Sequence, residues 1–152
     1  MTSEKQYQKL KQKYKNLPDF KWLEENFNVK IKDDSPMLEQ IREQMEKKIL
    51  GIRDLIEPII GASETYSSWF ERKMITDREK EELFKIYKKL QIIYWKSNKI
   101  GLGSLEKEYV DLIVSVKDLW TDLKPALTSV FDKIMIGWAK YSKKEDDTSY
   151  HG

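Results

Sequence analysis

The sequence predicts an all-α protein, an irregular antiparallel bundle of about five helices with a small N-terminal helical extension. Three observations carry this. Apolar residues recur at spacings of three and four, and nowhere convincingly at two. Most gaps between periodic runs hold Gly or Pro near Ser or Asp, and the remaining one holds Thr76-Asp77, which is stop-and-start chemistry for helices. The links are short, so neighbouring helices fold back on each other. The expected division is a basic extension over 1–17, one bundle domain over 18–141 and a disordered tail over 142–152.

The first helix is thin. Tyr7, Leu10, Tyr14 and Leu17 make a narrow stripe on a lysine-rich segment that ends at Pro18. Asp19 caps a short helix bearing Phe20, Leu23 and Phe27. The stretch "NVKIKDDSP" reads as a linker, extended around Val29 and Ile31. Ser35 is then the expected N-cap, with Pro36 in the first helical position. Leu38, Ile41, Met45, Ile49, Ile52, Ile56 and Ile59 form the stripe of a long helix.

Pro58, Gly61 and Ser63 predict a break within 57–63, and a helix from about Glu64 should turn Tyr66, Trp69, Phe70 and Met74 inward. Thr76 or Asp77 caps the next helix, whose acidic first turn suits the helix dipole and which runs to about Asn98. "NKIGLGS" is a turn, and Ser104 caps the last helix. There, the apolar face from Tyr109 to Tyr141 keeps one phase through Pro125, so a single bent helix is expected. Straight, such long helices would leave apolar stripes bare at both ends; either the chain folds back at 57–63 and bends near Pro125, or two chains complete each other.

Composition excludes much chemistry. The 152 residues contain no cysteine and one histidine, His151. Thiolate nucleophiles, disulfides, Ser–His triads, most zinc sites and the Glu-x-x-His motif of di-iron bundles are therefore absent. "GLGS" lacks the "GK[ST]" ending of a P-loop. Glu79, Glu81 and Glu82 are explained as first-turn acids, not metal ligands. No cofactor, no metal and no catalysis are expected. No apolar run approaches the roughly 20 residues of a membrane span, and the first residues lack a signal-like core, so a cytoplasmic protein is expected.

Charged residues make up 36% of the chain, yet the net charge is +2. Charge is distributed in blocks: +4 over 1–32, −3 over 33–60, +3 over 61–100 and −2 over 101–152. Internal complementarity explains such blocks before a polyanion face does.

The stretch "KLQIIYWKSNK" (89–99) concentrates what remains. On a helical wheel Leu83, Ile86, Tyr87, Leu90, Ile93 and Tyr94 form a core face. Lys85, Lys88, Lys89, Lys96 and Lys99 gather on the far side with Ile92 among them. Phe84 and Trp95 are nearly eclipsed between the two faces, and both should be at least partly covered, by a second helix or by a partner. The lysines could pair across the hairpin with Glu108, Asp111, Asp118 and Asp122, leaving a plain solvated face.

A lysine ridge beside aromatics can also stack bases and neutralise phosphates. The N-terminal arm, with Tyr7, Lys11 and Tyr14, is a second such element; its plainer reading is a docked peripheral helix. The leading expectation is a non-catalytic protein-interaction protein, an adaptor or accessory subunit with a protein partner or a second copy of itself. The alternative is an accessory protein of nucleic acid, RNA or a ribonucleoprotein, using the arm and the Lys85–Lys99 ridge.

Overall fold

The computed structural model describes residues 2–32, 35–61 and 65–151, with side chains described as far as Tyr141. Among the described residues there are six helices and no strands. They are α1 (Ser3–Lys13), α2 (Phe20–Phe27), α3 (Met37–Ile60), α4 (Tyr66–Lys73), α5 (Asp77–Gly101) and α6 (Glu106–His151). The all-α antiparallel bundle predicted by the sequence is what forms. Its centre is three helices, α3, α5 and α6.

The helix directions follow from side-chain pairs. Arg42 of α3 meets Ser97 of α5, and Arg53 meets Gln91, so α3 and α5 run antiparallel. Lys133 of α6 reaches Glu79 near the start of α5, which makes that pair antiparallel too. The α3 stripe is buried from Ile41 to Ile59 as its periodicity requires. It packs with Leu83, Leu90 and Ile93 of α5 and with Leu112, Ile113, Val116 and Leu123 of α6 in one cluster.

At one end a polar network ties the three helices. Arg42 is 8% exposed. It donates to the carbonyl and hydroxyl oxygens of Ser97, each at 3.2 Å, and to Glu39 and Glu46. Tyr109 of α6 donates to Glu39 at 2.6 Å. The Arg42 hydrogen bond holds the Glu39 carboxyl below its usual range. Gly101 ends α5 beside this guanidinium, where a Cβ would lie 2.8 Å from a terminal nitrogen.

Several helix ends differ from the sequence expectation. Pro36, not Ser35, occupies the N-cap of α3. Ser35 instead gives its carbonyl to Gln40. That glutamine also exchanges two hydrogen bonds with the backbone of Lys32, and Gln44, one turn on, does the same with Lys30. Two side-chain amides thus hold the extended linker along α3. Asp19 stands at the N-cap of α2 without a side-chain cap bond, because its carboxylate pairs with Lys11.

The break between α3 and α4 falls where Pro58 and Gly61 predict it; Ser63 and Glu64 lie outside the described residues. Thr65 caps α4 by accepting from the Ser68 amide. Thr76 and Glu79 form a reciprocal capping box at α5. The carbonyl of Leu105, not Ser104, accepts the first amides of α6.

Helix α6 continues through Pro125, as its unbroken phase predicts. Its 46 residues extend about 69 Å at 1.5 Å per residue, well past the 25 residues of α5. Beyond Lys133 it is α4 that covers the overhang. Phe70 packs on Trp138 and Tyr141 with ring centroids 4.3 and 4.8 Å apart, and Gly137 leaves the space that Met74 fills. One folded chain thereby covers most of the stripe that would otherwise be bare. Tyr66 and Trp69 nevertheless stay largely exposed, against expectation, since an eight-residue helix can bury only one narrow side; Tyr66 reaches α6 only through its hydroxyl, 3.0 Å from that of Tyr141. The backbone of α6 is helical to His151, including residues whose composition predicts a disordered tail.

Candidate interaction face on α5

The last three-quarters of α5 present two different surfaces. Leu83, Leu90 and Ile93 are buried between α3 and α6, with Ile86 and Tyr94 half-buried beside them. Turned away from that core are Phe84 (49% exposed), Ile92 (68%) and Trp95 (66%). Among the described residues no second helix covers Trp95 or Ile92. Leu102, 90% exposed, extends the row.

The sequence predicts a helix end near Asn98, which leaves Leu102 off this face. In fact α5 runs to Gly101, and Leu102 keeps αR geometry at φ −74° and ψ −10°. Seven residues separate it from Trp95, two turns, so it falls beneath the same line. From Phe84 to Leu102 the stripe is about 27 Å long at 1.5 Å per residue.

The rings are fixed from behind. Arg53 of α3 lies 4.6 Å over the Tyr94 ring and donates to the Gln91 side-chain oxygen at 3.0 Å. Tyr94 in turn meets Trp95 edge-on at 5.5 Å. Phe84 stacks with Tyr87, and the Lys88 ammonium sits 5.1 Å over the Phe84 ring. Such contacts limit rotamer freedom before anything binds, which lowers the entropy cost of binding.

The charges do not pair across the hairpin. Lys85 bonds Glu82 on its own helix at 3.3 Å. Among the described residues Lys89, Lys96 and Lys99 form no ion pair, and neither do Glu108, Asp111, Asp118 and Asp122. The link actually formed between α5 and α6 is Lys133 to Glu79, which with Thr76 lowers the Glu79 carboxyl below its usual range. Helix α6 turns Ala126, Ser129 and Lys133 toward α5. At about 100° per residue its four unpaired acids lie on that same flank. The Lys85, Lys89 and Lys96 edge of α5 and the acidic flank of α6 therefore run side by side without neutralising each other, while Phe84, Trp95 and Leu102 follow the opposite edge, beside Arg53 of α3.

The N-terminal residues do not join this face. Tyr7 is fully buried, and its hydroxyl donates to the Pro18 carbonyl at 2.6 Å. Burial raises the Tyr7 phenol well above its usual range. Lys11 is paired with Asp19, and Tyr14 is half-buried against the core with Lys13 over its ring. Lys13 also bonds Glu106 at 3.0 Å, fastening α1 to the start of α6. The segment is a docked helix, and Tyr7 is unavailable for stacking on a base.

No helix among the described residues is long and apolar enough to cross a membrane. No family model matches the chain, and neither a curated protein nor a solved structure matches it.

Proposed function

We propose that this chain is a non-catalytic interaction protein that docks a protein partner along the outer face of α5. One observation carries the reading: Phe84, Ile92, Trp95 and Leu102 stand exposed along the outer side of one helix. Large apolar residues grouped on an exposed face mark interaction sites, and tryptophan is among the residue types most enriched in binding anchors. A row of this kind on a helix is the natural seat for a second helix. The composition supports the absence of catalysis, since the chain has no cysteine and its single histidine is His151.

The experiment compares the wild-type chain with Trp95→Glu, each immobilised and exposed to native extract with and without nuclease. A stoichiometric protein captured by the first, lost with the second and indifferent to nuclease is the expected result. Identical captured sets from both would refute the docking face.

A second reading rests on Lys88 over Phe84 and on the unpaired Lys89, Lys96 and Lys99. They support an accessory role on RNA or a ribonucleoprotein, with phosphates on the lysines and bases on the rings. Copurifying nucleic acid that is released by salt, and lost when Lys85, Lys88, Lys96 and Lys99 become Gln, would establish that reading instead.

A further inference from the structure

We infer that the occupant of the α5 stripe is an acidic amphipathic protein helix, with its apolar side chains between Phe84 and Leu102 and its carboxylates on Lys88 and Lys99. This rests on the docking face proposed above and adds the chemistry of the partner. The argument is one of charge. Between Phe84 and Leu102 the chain has five lysines and no Asp or Glu. Lys88 is held over Phe84, and Lys99 is without an ion pair. A helix laid on the apolar row must therefore desolvate cations that the protein itself leaves uncompensated. A partner with carboxylates beside its apolar residues supplies the compensation; a neutral or basic one does not.

The same feature eliminates other occupants. A second copy packed stripe against stripe would bring lysines onto lysines, which opposes association. A second copy offering its α6 flank would bring Glu108, Asp111, Asp118 and Asp122, but around the polar Ser115 and with no apolar group to fill the space between Phe84 and Trp95. A nucleic acid would meet the lysines, but beyond Lys85, Lys89 and Lys96 it would also meet the acidic flank of α6, which repels a broad polyanion. Ile92 and Leu102 offer it aliphatic surface with nothing to read a base edge. A helix is about 10 Å across with its side chains, narrow enough to lie on α5 and stay clear of α6.

The test is an unbiased selection. The full chain is immobilised and panned with a library of random peptides of about 18 residues, the length that covers the stripe at 1.5 Å per residue. The expected winners are rich in Asp and Glu, with Leu, Phe or Trp at spacings of three and four. They should bind Trp95→Glu at least about tenfold more weakly. Repeating the selection on Lys88→Glu/Lys99→Glu should exchange acidic winners for basic ones. Circular dichroism on both variants confirms retained helix content.

Winners that depend on Trp95 but carry no acidic excess would overturn the acidic partner and leave the docking face standing. Winners indifferent to Trp95→Glu, or no winners, would overturn both. A single-stranded RNA oligonucleotide that displaces the winners at lower concentration than they displace each other would replace the inference with nucleic-acid binding. A concentration-dependent dimer in sedimentation equilibrium, abolished by Trp95→Glu, would replace it with self-association.

Discussion

The Tyr7 hydroxyl of α1 donates a 2.6 Å hydrogen bond to the Pro18 carbonyl, just before α2 begins. The ring packs on Phe20 at 5.4 Å, and the side chain is wholly buried. This one contact turns a lysine-rich, arm-like segment into a part of the folded core. Replacing Tyr7 with Phe keeps the ring and strips the carbonyl of its partner. The expected loss is about 1–2 kcal/mol, the cost of a buried acceptor left unsatisfied. Urea unfolding monitored by tryptophan fluorescence measures it. A loss near zero would mean that the segment is not docked as described.

The exposed and buried faces of α5 should respond oppositely to truncation. Leu90 is fully buried, and Leu90→Ala should cost about 2–5 kcal/mol. Trp95 is mostly exposed, so Trp95→Ala should cost no more than about 1 kcal/mol despite removing a far larger side chain. Changing Lys85, Lys88, Lys96 and Lys99 to Gln should move the midpoint still less, because exposed charges contribute little to stability. A core-sized loss for Trp95→Ala would place the indole inside the fold and remove the proposed docking face.

Acid should attack the Arg42 network. Arg42 and Tyr109 depress the folded-state pKa of Glu39. A depressed carboxyl contributes stability that is complete above its unfolded value, about 4.3, and is lost as pH falls through the lower folded value. Glu79 and Glu106 are depressed by Lys133 and Lys13 and add to the same acid limb, but they lie near the surface and are screened by salt. In high salt, Glu39→Gln should therefore flatten the remaining fall in stability below about pH 4. Denaturation midpoints across the acid range for both proteins decide the point; parallel curves would contradict it.

The start of α5 depends on the capping box of Thr76 and Glu79. Thr76→Ala removes the side-chain acceptor of the Glu79 amide and should cost about 1 kcal/mol, at most about 2. Thr76→Ser should recover most of it. Thermal melts of the three proteins are sufficient, and equal melting of the Ala and Ser variants would show that the cap is not engaged.

The sequence by itself determined the helices, their breaks at Gly61 and near Thr76, the unbroken run through Pro125, and the face each long helix buries. These are local matters. Period, glycine, proline and caps act within a few residues, and the stripe from Ile41 to Ile59 goes inward whichever helix receives it. The wheel also separated Phe84, Ile92 and Trp95 from the main core face of α5, so most of the candidate site was legible.

What the wheel could not give was coverage. It fixes an angle about one axis, whereas burial depends on how far a neighbour reaches around it. Only the packed structure decided that Tyr94 is backed by Arg53 while Trp95, the next residue, stays largely exposed. It also decided that Trp69 faces outward while Phe70 packs on Trp138, and that Tyr7 leaves the surface. Leu102 was missed because a helix end is set by weak terminal contacts that shift by a few residues. The expected lysine–carboxylate pairs across the α5–α6 seam failed for a related reason: helical register brought the charges level, but ion pairing needs contact within about 4 Å, and only backbones already placed in three dimensions determine that distance.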